Sequence, residues 1–266
     1  MNERTLGAGK IMAAIAGNSF REAIRDRWLL SLAGFAVLMA GAALLFTQMS
    51  FGIAAGALIN FSLAAITFLG ALMAVLLGNQ LVAKEIERRT AYALLAHPVR
   101  RRELVLGKFA GLLLALTVNT GLMGLALLAA LSWLQGGWHS GESAVLAALY
   151  CVWLELALLT AVSLFFSSFA SIGLAAVFSL SLFLIGNFNG ELRGLGAAAR
   201  PGPGRWLPRL VADALPNFGG LNLTTTASHY LPVSARLLGW NSLYVLLYGA
   251  AMLILSAVIF EFRDLK

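Results

Sequence analysis

Charge is scarce in this 266-residue chain, and the scarcity is uneven. Only 12 % of residues are Asp, Glu, Lys or Arg, while 60 % are hydrophobic. No charged residue occurs from Trp28 to Ala83, and none from Phe109 to Gly141. With a mean hydropathy of +0.84, such a chain is excluded as a soluble domain and reads as an integral membrane protein. Cysteine is nearly absent. Cys151 alone, inside an apolar run, excludes an intramolecular disulfide and a cysteine-based metal site. The six prolines all fall outside the long apolar runs, so nothing breaks those runs at mid-membrane.

What charge there is leans basic, with a formal net charge of +7. A nucleic-acid partner is rejected, because the bases flank apolar spans and do not gather on one polar module. They read as orientation signals and head-group anchors against membrane lipid. The first long apolar run starts about 27 residues in, after mixed acids and bases, which is not the pattern of a cleavable signal peptide.

A membrane-crossing helix needs about 20 mostly apolar residues. On that ruler the sequence predicts an all-α, polytopic membrane protein with six transmembrane helices, near 28–46, 61–83, 107–134, 145–166, 171–188 and 242–260. It divides one transmembrane domain, 1–266, into a cytoplasmic interfacial helix (1–27), spans one to five (28–188), an extracytoplasmic segment (189–241), and span six with a cytoplasmic tail (242–266). Ser167–Ser171 is a very short turn between spans four and five. Arg4, Lys10, Arg21, Arg25, Arg27, the bases of Lys84–Lys108, Arg263 and Lys266 share one side, which the positive-inside rule assigns to the cytoplasm with both termini. Arg193, Arg200, Arg205, Arg209 and Arg236 fall on the other side, against that rule. A five-span arrangement removes the conflict but moves the C-terminus outside.

Ahead of span one, Met12, Ala16, Phe20, Ala23 and Ile24 share a helical face. That pattern predicts a helix lying along the inner membrane surface, against the blander reading of a cytoplasmic stub. In the outer segment, Trp206, Leu207, Leu210, Val211 and Leu215 predict a short amphipathic helix among prolines, capping the outer end of the bundle.

The densest charge lies in Lys84–Lys108, reading KEIERRTAYALLAHPVRRRELVLGK between the two uncharged runs. Such a wedge must leave the bilayer. Ile86, Thr90, Ala93 and Leu94 recur at helical spacing, and His97-Pro98 ends that helix, since a residue before proline avoids the helical region. A second helix starts at Arg100–Glu103 and runs into span three. Charges that only fix topology would explain Arg100, Arg101 and Arg102, but not the apolar face outside lipid. That face points to a protein partner.

The run Glu85-Ile86-Glu87-Arg88-Arg89-Thr90, with Leu94-Leu95, Pro98-Val99-Arg100-Arg101 and Leu106-Gly107-Lys108, resembles the characteristic stretch of type-2 ABC exporter permeases. It is most similar to the branch related to the permease of the nitrous-oxide-reductase maturation transporter. Pro216-Asn217-Phe218, Leu221-Asn222 and Phe262-Arg263-Asp264 also resemble that branch. The resemblance implies a bacterial inner-membrane permease whose link Glu87–Pro98 is a cytoplasmic coupling helix between spans two and three. It implies docking onto a separate ATP-binding cassette ATPase through Glu85, Glu87, Arg88, Thr90, Leu94, Leu95 and Pro98, with a smaller contact at Ser168. Two ATPase copies and a second permease copy, as a homodimer, complete the implied unit. In agreement, Gly107-Lys108-Phe109 lacks the preceding glycine and following hydroxyl of a phosphate-binding loop, so the chain is not expected to be an enzyme itself.

Glu155, inside span four, is the lone acid between Glu142 and Glu191. At that depth it marks a substrate path, a proton carrier or a buried structural hydrogen bond, with Thr117 or Thr120 as candidate partners. His97, His139 and His229 are isolated, and the methionines are scattered as core fillers, so no metal and no cofactor is expected. Gly107 and Gly111 form a small-xxx-small pair suited to close helix contact. The alternative function is a stand-alone secondary transporter or channel using Glu155. It would call for more intramembrane charge, mid-bilayer helix breaks or an inverted repeat. An intramembrane enzyme would need a nucleophile–base pair or a metal set at membrane depth, and Glu155 has no histidine matching it.

Overall fold

The structure, a computed structural model, describes residues 2–25, 32, 34–39, 41–42, 51–87, 101–137, 141–198 and 203–262. The expected first span, 28–46, lies mostly outside them, as do His97 and His139. Among the described residues the fold is all-helical, with no strand. In chain order, α1 is Asn2–Arg25, α2 Phe51–Glu87, α3 Arg101–Gln135, α4 Glu142–Ser167 and α5 Ile172–Asn187. Then come α6 Asn189–Ala198, α7 Pro203–Ala214, a single 3-10 turn Gly219–Leu221, α8 Thr224–Ser228 and α9 Ala235–Phe262.

Among the described residues, four stretches are long and apolar enough to cross a membrane: Ala54–Asn79, Glu103–Gln135, Glu142–Ser167 and Ala235–Ile259. A fifth crossing exists if α5 and α6, bent by 55° between Asn187 and Asn189, count as one broken span. Helix α2, at 37 residues, and α3, at 35, are each over 50 Å long at about 1.5 Å per residue. Both therefore outrun the roughly 30 Å hydrocarbon core. Helix α2 remains helical beyond Asn79 as far as Glu87, and α3 is already helical at Arg101.

Helix α4 is the axis. Helices α2, α3, α5, α8 and α9 all pack on it, while α1 packs chiefly on α3. Of its most apolar window, 78 % is buried, against 28 % for α9, so α4 is central and α9 peripheral. Leu156, Leu158, Leu159 and Leu164 of α4 meet a core that includes Leu58, Leu63 and Ile66 of α2 and Leu112 and Leu116 of α3. The outward faces remain apolar, with Leu125, Leu246 and Ile254 at least 63 % exposed. Lipid, not water, satisfies such a surface.

The α4–α5 junction falls where the sequence places it. Ser168 bonds back through its N–H to Leu164 and Phe165 carbonyls at 3.2 Å, and Ser171 is extended before α5 starts. Helix α3 ends at Gln135 because Gly136 and Gly137 adopt φ of +73° and +149°, which side-chain-bearing residues rarely adopt. The second helix differs from expectation, starting at Phe51 with its membrane-long stretch from Ala54, and not near 61. Gly52 and Gly56 interrupt the pattern in sequence, yet Gly56 serves packing: a Cβ there would lie 3.0 Å from the Ser228 carbonyl of α8.

The expected amphipathic helix of the outer segment is α7, with Pro208 within it. It pairs with α6, and Arg193 meets Asp213 at 2.9 Å across them. Trp206, Leu207 and Leu210 are at least half exposed, so this apolar face looks away from the protein. Beyond α7 the chain enters the bundle and does not merely cap it. Phe218 is fully buried, edge-on to Phe183 of α5 with centroids 5.2 Å apart.

Candidate functional site

The middle of α1 and the first turns of α3 are joined at the glycine pair. A Cβ on Gly107 would lie 2.8 Å from Ile15 Cγ2, and one on Gly111 would lie 2.5 Å from the Ala16 carbonyl oxygen. The small-xxx-small spacing therefore marks the bed of the N-terminal helix. Ala16, Ser19 and Ala23 are buried, Met12 and Phe20 partly so, while Lys10 and Arg21 face outward, which matches the expected face. Lys108 lies within α3 and is only 3 % exposed, so Gly107-Lys108 belongs to a packed helix and not to a loop.

A polar seam fastens α2 to α4 near the C-terminal ends of both. Ser163 Oγ donates to Asn79 Oδ1 at 3.0 Å, and Ser167 Oγ donates to the Asn79 carbonyl at 3.2 Å. Gly78 makes room, since a Cβ there would lie 2.7 Å from Ser163 Oγ. From α9, Ser256 Oγ donates to the Leu164 carbonyl at 3.2 Å. The seam connects the helix leading into the charged wedge with the helix leading into the Ser168 turn. In that turn Ser168 is buried and donates to the Phe165 carbonyl at 2.7 Å, whereas Phe169 and Ser171 are exposed. Glu85 and Glu87 fall in the last turns of α2. Arg88, Thr90, Leu94, Leu95 and Pro98 lie outside the described residues.

Higher up, Glu155 is 1 % exposed, 13 residues from the start of α4 and 12 from its end. Its partner is neither Thr117 nor Thr120. Asn187 Nδ2, on the last residue of α5, donates to Glu155 Oε1 at 3.4 Å and to the Phe183 carbonyl at 3.0 Å. Thr117 instead accepts from Trp153 Nε1 at 2.9 Å, and Thr120 bonds back to the Leu116 carbonyl at 2.7 Å. Asn187 went unrecognised in sequence, although an amide within an apolar run is a signal of the same kind as Glu155. Asn79 was missed for the same reason.

Where α3 ends, Tyr230 takes a positive φ of 53° after α8. Its hydroxyl accepts from Gln135 Nε2 at 2.5 Å, and its ring occupies the space beside Gly141. Burial pushes the Tyr230 phenol above its ordinary pKa, the Gln135 bond opposes this, and the Glu142 charge adds to the rise. His229 beside it is exposed, and among the described residues no group of three His, Cys, Asp or Glu could hold a metal ion.

The sequence of this chain finds a match among known proteins. A family profile described as "ABC-2 family transporter protein" matches residues 13–265. The chain belongs to the ABC-2 transporter family. It is a multi-pass membrane protein by that membership and by its apolar helices. It is similar to "Probable ABC transporter permease protein NosY" of Stutzerimonas stutzeri, 39 % identical over 119 residues, covering 40 % of this chain and 41 % of that protein. The protein of the same description from Pseudomonas aeruginosa is 33 % identical over 168 residues, covering 55 % of this chain and 58 % of the relative. The matched stretches thus span about half the length of these curated relatives.

Proposed function

We propose that this ABC-2 family member is the membrane permease subunit of an ATP-driven exporter, powered by a separate ATP-binding cassette ATPase. The observation that carries this reading is the seam from Asn79 to Ser163 and Ser167. It ties the helix that continues into the wedge to the helix that ends at the Ser168 turn, so a push on either inner contact moves α2 and α4 together. Helices transmit displacement with little local yielding, and packed interfaces shift between discrete arrangements. Residues Glu85 to Pro98 receive the ATPase. Since Ser168 is buried, exposed Phe169 and Ser171 present the smaller contact surface.

The working unit contains two ATPases and two permease copies, as a homodimer in a bacterial inner membrane, with both termini cytoplasmic and six spans. Helix α1 lies along the inner surface, against α3, where motion of the wedge reaches it through Gly107 and Gly111. The alternation of apolar spans without an intramembrane charge series fits an amphipathic or lipid-like cargo better than an inorganic ion. Co-purification tests the docking: wild-type permease retains the ATPase, and the double variant Glu87→Ala with Leu94→Asp releases it. Retention by the double variant would sink the assignment of the wedge.

A further inference from the structure

We infer that Glu155, Asn187 and Asn189 form a binding site for a monovalent cation, the proton or an alkali-metal ion, at the break between α5 and α6. A carboxylate at the centre of α4, 1 % exposed, meets one neutral donor, Asn187 Nδ2, at the long distance of 3.4 Å. Among the described residues it has no cationic partner. An unpaired charge in such surroundings costs several kcal/mol, by order of magnitude, so the site needs a positive charge.

The groups around it leave that charge to be supplied from solution. On α4, Cys151 lies one turn earlier, with Asn241 Nδ2 of α9 at 3.7 Å. On α9, the Tyr244 hydroxyl accepts from the Asn217 N–H at 2.8 Å, and the Tyr248 hydroxyl donates to the Ala214 carbonyl at 3.5 Å. Helix α5 has no charged residue. In α6, Arg193 is turned outward to Asp213. On α3, Lys108 lies nine residues before Thr117, which bonds Trp153 of α4, placing it about 13 Å nearer the inner end. The charges of α2 lie beyond Asn79, at its inner end.

The second observation is Asn189, the first residue of α6. It is 1 % exposed, and neither its Oδ1 nor its Nδ2 has a hydrogen-bond partner. Buried amides are satisfied in nearly all proteins, so an orphaned one two residues from Asn187, the partner of Glu155, marks a place for water or an ion. Helix breaks at membrane depth are tolerated where they are enclosed by protein or line a cavity, and their free carbonyls suit small cations. The inference is independent of the ATPase assignment.

The test uses the full chain in lipid nanodiscs and follows its thermal unfolding midpoint. One arm varies pH in choline chloride, and the other replaces choline with sodium or potassium at fixed pH. The midpoint is expected to rise on acidification if the ligand is the proton, and with the alkali ion if it is the metal. Glu155→Gln is expected to lose that dependence. A wild-type midpoint indifferent to both arms, or the same dependence in Glu155→Gln, overturns the inference. Should Glu155→Gln not fold, Asn187→Leu keeps the acid and is expected to shift the half-effect pH or concentration; no shift overturns the inference equally.

Discussion

Gln135, the last residue of α3, donates its side-chain N–H to the Tyr230 hydroxyl at 2.5 Å. This bond joins two points 95 residues apart and holds the returning outer segment on the α3–α4 turn. Tyr230 needs the tie because its left-handed backbone is unfavourable for a residue with a ring. Its ring fills the place where a larger residue than Gly141 would stand, since a Cβ there would lie 2.7 Å from Tyr230 Cδ1.

Tyr230→Phe is therefore expected to lower stability by about 1 kcal/mol, the usual worth of one partly buried hydrogen bond. Gly141→Val should cost more, because the ring must leave its seat. Unfolding in nanodiscs measures both. The phenol's folded-state pKa is raised, so its contribution is fully present below the ordinary tyrosine value of about 10 and is lost as pH rises through the raised value. The alkaline loss of stability should accordingly be smaller in Tyr230→Phe than in the wild type.

At the inner end, Gly111→Ala should disturb α1 more than Gly107→Ala. The added methyl at Gly111 meets a backbone carbonyl, which cannot turn aside, whereas at Gly107 its nearest neighbours are Ile15 side-chain atoms. Labelling of a cysteine placed at Ala16, with Cys151 replaced, measures this. It should be slow in the parent and several-fold faster with Gly111→Ala. Equal rates would mean that α1 does not rest on that glycine.

Asn79→Leu removes the amide that receives Ser163 and leaves the backbone carbonyl that receives Ser167. Hydrogen bonds between membrane helices are worth roughly 0.6–2 kcal/mol, so the variant should fold with reduced stability. If the seam couples the inner contacts, the variant should still retain the ATPase, while ATP-dependent change in an α2–α4 distance, read with spin labels, becomes smaller. An unchanged distance response would remove the seam from the coupling route.

Much of the bundle was legible because bilayer thickness imposes a ruler on the sequence. The apolar runs located α3 and α4 and the end of the α2 span, and Ser167–Ser171 located the turn between α4 and α5 with little error. Gly107 and Gly111 signalled a close contact without naming α1 as the partner. The candidate site was read less well. Glu155 announced itself as an acid in an apolar helix, but sequence left its neighbour open, with Thr117 and Thr120 as candidates, and the hydrogen bond comes from Asn187 of α5. Asn79 and Asn187 passed unnoticed, because amides carry no charge and interrupt a hydropathy pattern only weakly.

The sequence by itself determined that this chain lives in a membrane and where the apolar helices α3 and α4 lie. Those properties follow from transfer free energies, which are nearly additive along the chain. Tertiary structure decided that α4 is the axis, that the outer segment returns to seat Phe218 against Phe183, and that Glu155 faces Asn187. These depend on how helices are rotated and which faces meet. In an environment where every outward face is apolar, hydropathy cannot rank one face above another, so the choice falls to small residues, buried amides and close packing.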